Sequence, residues 1–73
     1  MSETLVVEPK IVRHKFIEWE FNVEGKTYFV QETSDSYTMW RVDRSGDRVV
    51  ADSKKSTDKF LKKFNIELLG RQQ

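Results

Sequence analysis

The strongest constraint on this chain is a pair of segments that alternate apolar with polar residues and are each interrupted by a glycine. Residues 17–23 place Ile, Trp, Phe and Val at every second position, and a second run, rich in aromatic and β-branched residues, follows Gly25. Residues 37–43 and 47–52 flank Gly46 in a similar way. Alternation with a period of two is typical of a half-buried strand, and a glycine between two such runs is typical of a hairpin turn. The sequence therefore predicts two β-hairpins.

The apolar residues also predict how the strands of the first hairpin align. A two-residue loop at Glu24 and Gly25 sets Phe21 opposite Tyr28, whereas a three-residue loop sets Phe21 opposite Thr27. Each cross-strand apolar pair contributes about 0.2–1 kcal/mol, which favours the two-residue loop. The predicted pairs of the first hairpin are Phe21 with Tyr28 and Trp19 with Val30.

Charge decides the predicted register of the second hairpin. A three-residue loop would set Asp43 opposite Asp47, and like charges directly opposite each other are destabilising. A two-residue loop at Ser45 and Gly46 avoids this repulsion and is therefore expected. The predicted pairs are Arg44 with Asp47, Asp43 with Arg48, Val42 with Val49, and Trp40 with Ala51.

After Ala51 the apolar residues follow the spacing of a helix. Lysines lie on the side opposite the apolar residues, and Ser53 or Ser56 is expected to be the N-cap. Asn65 is expected to end the helix in a left-handed conformation. A helix of about eight residues, as expected here, is stable only when it packs on other elements. The expected core consists of Trp19, Phe21, Trp40, Val42, Phe60, Leu61 and Phe64.

These elements predict an α+β fold, with a small antiparallel sheet of two hairpins, about four strands, packed on one C-terminal amphipathic helix. Leu5–Val7 is apolar enough for an edge strand that ends at Pro9, and residues 66–69 fit a short extended segment. Residues 10–16 are expected to be extended, with a helix beginning at Pro9 as the alternative. A single domain over residues 1–73 is expected, with residues 1–9 and 70–73 frayed.

The composition argues against several classes of function. The chain has no cysteine and therefore no disulfide or thiolate metal site. It has no run of 18 apolar residues and no signal-peptide pattern, so a cytoplasmic protein without a membrane association is expected. His14 is the only histidine, and no nucleophile elbow, zinc spacing or glycine-rich phosphate loop is present. A non-enzymatic protein without cofactor or metal is expected.

Under the predicted registers, the sheet face turned away from the helix carries apolar side chains without a core partner, next to arginines. Aromatic residues, Met and Arg are enriched where proteins bind other proteins. The candidate protein-binding residues are Phe29, Tyr37, Met39, Arg41, Arg48 and Val50. The alternative is that residues 1–16 fold back and cover this face.

Positive charge is concentrated in the second half of the chain. Residues 41–73 hold nine Lys and Arg against five Asp and Glu, whereas residues 1–40 hold four against seven. Such cations either remain solvated or contact phosphates, and arginines on a two-stranded ribbon can also reach base edges. The candidate nucleic-acid-binding residues, in the hairpin of residues 41–48 and the lysine-rich helix, are Arg41, Arg44, Arg48, Lys54, Lys55, Lys59, Lys62 and Lys63.

Two functions follow from these candidates. The preferred one is a small protein-interaction module that regulates or inhibits a larger protein through the sheet face, and the alternative is a nucleic-acid-binding module. The sequence pI of about 8.0 favours the first function, because dedicated DNA-binding domains usually have a pI above about 9. The sequence leaves the identity of the partner and the oligomeric state open.

Overall fold

The computed structural model describes residues 3–71 and has the predicted α+β class. A five-stranded antiparallel sheet in the order β2-β3-β4-β5-β6 carries one helix on one face, and β1 and β7 form a separate two-stranded parallel sheet. The elements are β1 (Leu5–Val7), β2 (Ile11–Arg13), β3 (Phe16–Val23), β4 (Lys26–Thr33), β5 (Tyr37–Asp43), β6 (Gly46–Ala51), α1 (Lys54–Lys63) and β7 (Ile66–Leu68).

The first hairpin has the predicted register. Phe21 is opposite Tyr28, and Trp19 is opposite Val30. The turn between β3 and β4 uses two residues with positive φ, Glu24 at 53° and Gly25 at 78°. Two consecutive residues with positive φ are typical of the hairpin turns whose twist matches that of the flanking strands.

The second hairpin does not have the predicted register, so the expected loop at Ser45 and Gly46 is wrong. Asp43 is opposite Gly46, which leaves Arg44 and Ser45 in the turn. The Asp43 carboxylate accepts hydrogen bonds from the backbone N–H and the hydroxyl of Ser45, both at 2.9 Å. These hydrogen bonds between Asp43 and Ser45 stabilise a turn at residues 44–45, one residue earlier than the turn predicted from cross-strand charge pairs. The observed pairs are Val42 with Asp47, Arg41 with Arg48, and Trp40 with Val49.

The loop between the hairpins decides which face of β5 is buried. Thr33 Oγ1 accepts hydrogen bonds from the backbone N–H groups of Asp35 and Ser36, at 3.3 and 3.1 Å, and this turn sets Tyr37 opposite Glu32. In this register Met39 is opposite Val30 in the core. Trp40 is opposite Phe29 on the other face. The expectation that Trp40 and Val42 belong to the core is therefore wrong, and both are half-buried on the face away from the helix.

The core lies between the helix-bearing face of the large sheet, α1 and the small parallel sheet. Its fully buried side chains are Trp19, Met39, Val30 and Thr57. The predicted burial of Trp19, Phe21 and Leu61 is confirmed, whereas Phe60 and Phe64 pack against the core but stay partly exposed.

Helix α1 begins and ends as its sequence predicts. Ser53 is the N-cap, and its hydroxyl accepts a hydrogen bond from the backbone N–H of Ser56 at 3.1 Å. Asn65 follows the helix with a φ of 57°, so the predicted left-handed stop is confirmed. Thr57 and Leu61 are the buried residues of the helix.

The two ends of the chain meet on the helix-bearing side of the large sheet. Leu5–Val7 and Ile66–Leu68 are extended as predicted, but they pair in parallel with each other and form a separate sheet, a pairing that the sequence does not predict. The indole N–H of Trp19 donates a hydrogen bond to the carbonyl oxygen of Leu69 at 2.8 Å, which fixes the small sheet against β3. The sequence predicts that residues 1–9 are frayed, but Leu5–Val7, within this range, is paired in a sheet. The expected fraying of residues 1, 2, 72 and 73 lies outside the described residues.

Strand β2 occupies the edge of the large sheet next to β3, with Ile11 opposite Glu18. The alternative helix beginning at Pro9 does not form. Residues 3–16 also do not fold over the face away from the helix. Val7 of β1 belongs to the core cluster, and β2 extends the sheet sideways.

Candidate functional site

The sheet face turned away from α1, which we call the open face, carries one row of mostly apolar side chains across four strands. Glu20 of β3 is opposite Phe29 of β4, Phe29 is opposite Trp40 of β5, and Trp40 is opposite Val49 of β6. Because side chains directly opposite each other point to the same face, these four residues form a continuous line. We call Phe29, Trp40 and Val49 the apolar row.

The two aromatic rings of the apolar row stack on each other. The ring centroids of Phe29 and Trp40 are 5.7 Å apart, and the ring planes differ by 15°. Such pairs contribute about 0.5–1.5 kcal/mol beyond the area that they bury. Val49 is 64% exposed at the end of the apolar row. Val42 is half-buried on the same face, beside this row. The row is therefore both ordered and accessible.

Charged and polar side chains border the apolar row on the β2 and β3 side. Lys10 forms an ion pair with Glu20, and its Nζ lies 5.9 Å from the centroid of the Phe29 ring. The hydrogen bond from Lys10 to Glu20, together with the charge of that carboxylate, raises the pKa of Lys10. The amide nitrogen of Gln31 donates a hydrogen bond to Glu18 at 2.7 Å. These contacts hold two carboxylates at fixed positions along one border of the row.

Four of the six predicted protein-binding residues lie on the helix-bearing face and not on the open face: Tyr37, Met39, Arg41 and Arg48. Tyr37 is 6% exposed and Met39 is 0% exposed, so the expectation that they lie on an accessible face is wrong. The reason is the register that the loop between the hairpins imposes, which turns both side chains towards α1. Phe29 lies on the open face as predicted. Arg41 and Arg48 are opposite each other on the helix-bearing face, and Val50 is 39% exposed on the edge strand β6.

Sequence reasoning missed the other members of the open face. The sequence predicts Trp40 and Val42 in the core, with Val49 paired to Val42, because both faces of β5 carry apolar residues and a period of two then fits either orientation. The signal that could have found them is the polar loop of residues 33–36. A four-residue Thr-Ser-Asp-Ser turn closed between positions 33 and 36 pairs Phe29 with Trp40 and places both on one face.

The candidate nucleic-acid-binding residues lie on the helix-bearing side or at the tip of the second hairpin. All are exposed except Arg41, which is half-buried. Arg41 forms an ion pair with Asp43 at 3.2 Å, and its Nε is buried without a hydrogen-bond partner among the described residues. The other members of the set form no ion pair within the described part of the chain: Arg44, Arg48, Lys54, Lys55, Lys59, Lys62 and Lys63.

A network on the helix-bearing side ties the C-terminal residues to the helix and the sheet. Arg71 forms an ion pair with Asp58 of α1, and its Nε donates a hydrogen bond to the Tyr37 hydroxyl at 2.8 Å. The guanidinium carbon also lies 5.2 Å from the centroid of the Tyr37 ring. Burial raises the pKa of Tyr37, against the opposing effect of the Arg71 charge. No sequence pattern predicts this network, because its members are far apart in the chain.

A further feature of the surface is a cleft lined mostly by polar residues. The cleft, of about 400 Å³, lies where the loop between the hairpins approaches the start of α1. Its lining residues are Glu32, Thr33, Ser34, Asp35, Ser36, Tyr37, Asp52, Ser53 and Lys54. Over residues 3–71, no three His, Asp or Glu side chains are grouped in a way that could hold a metal ion.

Comparison with known proteins adds no relative. No protein-family model matches this sequence, and no curated protein or solved structure matches it. In the part of the chain that the structure describes, no helix has both the length and the apolar character needed to cross a membrane.

Proposed function

We propose that this protein is a small, non-enzymatic protein-interaction module that regulates or inhibits a larger protein by binding it through the open face. The single observation that supports this proposal is the stacked pair of Phe29 and Trp40 on a sheet face that no other described element covers. Aromatic side chains held in a fixed orientation supply large contact area at a low entropic cost, and they are enriched among residues that dominate binding energy.

The charges around the apolar row favour a protein partner over a nucleic acid. Glu18 and Glu20 border the row on one side, and Asp47 lies opposite Val42 on the other. Phosphates would be repelled by these carboxylates, so the aromatic rings do not form a platform on which bases stack. A partner surface with an apolar centre and basic side chains at its rim complements the apolar row and the carboxylates that border it.

Affinity capture from a native lysate treated with nuclease tests this proposal. The tagged wild-type protein is expected to retain a partner, and Val49→Asp is expected to lose it, because a carboxylate would be buried in the apolar centre of the interface. Trp40→Ala is expected to lose most of the binding as well, since it removes half of the aromatic pair. Circular dichroism melts of each variant confirm that the fold is retained.

Val12→Asp is the matched control. Val12 is 66% exposed on the edge strand β2, close to the 64% exposure of Val49, but it lies outside the apolar row. It should capture the same partner as the wild type. Equal capture by Val49→Asp, Trp40→Ala and the wild type would contradict the proposal, as would capture that disappears after nuclease treatment.

A further inference from the structure

We propose that the helix-bearing side of this protein is a second binding surface, which contacts the phosphate backbone of duplex nucleic acid without reading its sequence. This inference is independent of the proposed function, because it concerns the opposite side of the molecule. It rests on one cross-strand arginine pair and on the lysines of α1.

The arginine pair is unfavourable for the isolated protein. Arg41 and Arg48 are directly opposite each other on neighbouring strands, and like charges in this position repel. Asp43 neutralises part of this charge through its ion pair with Arg41 at 3.2 Å. Arg48 is exposed and has no ion pair among the described residues. An anionic ligand at this position would relieve the repulsion.

The lysines of α1 add positive charge that no carboxylate of the described chain neutralises. Five exposed lysines lie on the helix: Lys54, Lys55, Lys59, Lys62 and Lys63. The only acidic residue of α1 is Asp58, and it is already paired with Arg71. Exposed lysines without local partners can exchange their counterions for phosphates, which favours association with a polyanion.

Aromatic contacts place the lysines next to the arginine pair. The ring of Phe60 in α1 lies 5.0 Å from the ring of Tyr28, and Tyr28 is directly opposite Arg41 in the sheet. Lys63 follows Phe60 by three residues and Lys59 by four, so it is a helical neighbour of both and the two lysines lie near this side of the helix. Arg41, Arg48, Lys59 and Lys63 therefore belong to one surface, which we call the basic surface.

The composition of the basic surface indicates backbone binding to a duplex. Phe60 and Phe64 are only partly exposed and pack against the core, so among the described residues this side presents no fully exposed ring for stacking on single-stranded bases. Arg41 is held by Asp43 and is not available for a bidentate contact with a base. Lysine contacts to phosphates fix position but carry no sequence information.

The segregation of charge makes this compatible with a net charge of only +1. The carboxylates Glu18 and Glu20 lie on the open face, on the other side of the sheet. On the helix-bearing side, Asp43 and Asp58 are paired with Arg41 and Arg71, which leaves Arg48 and the α1 lysines without an ion pair among the described residues. Steering by such a patch depends strongly on ionic strength.

Fluorescence anisotropy with labelled duplexes of two unrelated sequences tests the inference. The wild type is expected to bind both equally, and about four phosphate contacts would weaken its affinity about 100-fold between about 50 and about 200 mM salt. The triple variant Arg48→Gln, Lys59→Gln, Lys63→Gln is expected to bind at least about 10-fold more weakly at low salt and to show a clearly smaller salt slope.

A second triple variant separates local contacts from net charge. Lys10→Gln, Arg13→Gln, Lys15→Gln removes the same number of exposed cations around β2, at the sheet edge opposite β6, and should bind nearly as the wild type does. Equal losses in the two triple variants, or no binding by the wild type at low salt, would overturn the inference. The inference would also be overturned if poly-glutamate bound as tightly as the duplex and with the same salt dependence. That result would favour an acidic protein partner. Trp40→Ala should bind the duplex normally.

Discussion

Within residues 3–71, three residues other than glycine adopt a left-handed backbone conformation, and each does so at a turn. They are Lys15, Glu24 and Asn65, with φ values of 60°, 53° and 57°. The conformation costs roughly 1–2 kcal/mol for most residues but less for Asn, whose short side chain hydrogen-bonds locally. Asn65 therefore suits its position after the helix, whereas Glu24 does not suit its position in the first hairpin turn. Lys15 and Glu24 are thus sites of backbone strain, in the turns on either side of β3.

Glu24→Asn is expected to stabilise the protein by up to about 1 kcal/mol, because Asn followed by Gly is the preferred pair for this turn. In a domain of this size the melting temperature should rise by about 4–8 °C per kcal/mol. Arg44→Asn is the control, since Arg44 lies in the turn of the second hairpin without a positive φ. A thermal melt monitored by circular dichroism measures both. Equal gains in the two variants would contradict the assignment of strain to Glu24.

Gly25→Val is expected to lower the free energy of unfolding, because a β-branched side chain is poorly tolerated at a φ of 78°. The added Cβ would have no heavy atom within 4 Å, so the cost is conformational rather than steric crowding by the rest of the fold. Gly46→Val, at a φ of 111°, should be destabilising for the same reason. Urea denaturation of both variants measures the effect, and an unchanged midpoint in either would disprove the turn geometry at that site.

At the scale of elements, α1 depends on its first turn and on its buried side. Ser53 caps the helix, and the Thr57 hydroxyl donates a hydrogen bond to the Ser53 carbonyl oxygen at 2.8 Å. Leu61 is 3% exposed and belongs to the core cluster. The lysines contribute little to docking because their side chains are exposed. Cap and apolar contacts together make a helix of ten residues stable in this position.

Ser53→Ala is expected to destabilise the protein by about 1 kcal/mol, because the backbone N–H of Ser56 loses its acceptor. Ser56→Ala is the matched control. It removes a hydroxyl that accepts a hydrogen bond only from Ser53 among the contacts described, and it leaves the cap in place. Urea unfolding should therefore rank Ser53→Ala clearly below Ser56→Ala. The reverse order would show that the helix begins elsewhere.

Leu61→Ala is expected to cost about 2–5 kcal/mol and to leave so small a domain largely unfolded. Phe64→Ala should cost less, because Phe64 is only partly buried. Lys62→Ala, at the exposed position between them, should change stability by less than about 0.5 kcal/mol. Thermal melts compare the three variants. A larger loss for Phe64→Ala than for Leu61→Ala would contradict the observed orientation of the helix.

For the whole molecule, the two sides of the large sheet have different chemistry. The open face carries the stacked aromatic pair with carboxylates at its border, and the helix-bearing side carries the unpaired cations. On the helix-bearing side, Arg71 and Trp19 hold the C-terminal residues in place through Tyr37, Asp58 and Leu69. Distant segments of the chain are therefore joined by a few polar contacts. One of these contacts involves the ionisable hydroxyl of Tyr37, so the pH dependence of stability can test it.

Tyr37 is expected to make the fold sensitive to alkaline pH. Burial raises the pKa of its hydroxyl, so the folded state holds the proton more tightly than the unfolded state does. The resulting stabilisation is fully present below about pH 10 and is lost as the pH rises through the folded-state pKa. Tyr37→Phe should show a shallower fall in melting temperature between about pH 9 and about pH 11. Parallel pH profiles for the variant and the wild type would refute this role.

The sequence by itself determined the features that rest on local chemistry. The α+β class, the register of the first hairpin, the cap at Ser53 and the stop at Asn65 each depend on residues within a few positions of one another. From Ile17 to Val23 in β3, apolar residues lie on one face only, so a period of two leaves one possible orientation. Phe29 was placed correctly on the open face because the first hairpin fixes it.

Only the tertiary structure decided the orientation of the second hairpin and therefore the composition of the open face. Strand β5 has Tyr37 and Met39 on one face and Trp40 and Val42 on the other, so its own pattern favours neither. Burial against α1 and the register of the loop at residues 33–36 select Met39 for the core. Because the side-chain period of a strand is two, this one choice exchanges every buried residue of β5 with an accessible one.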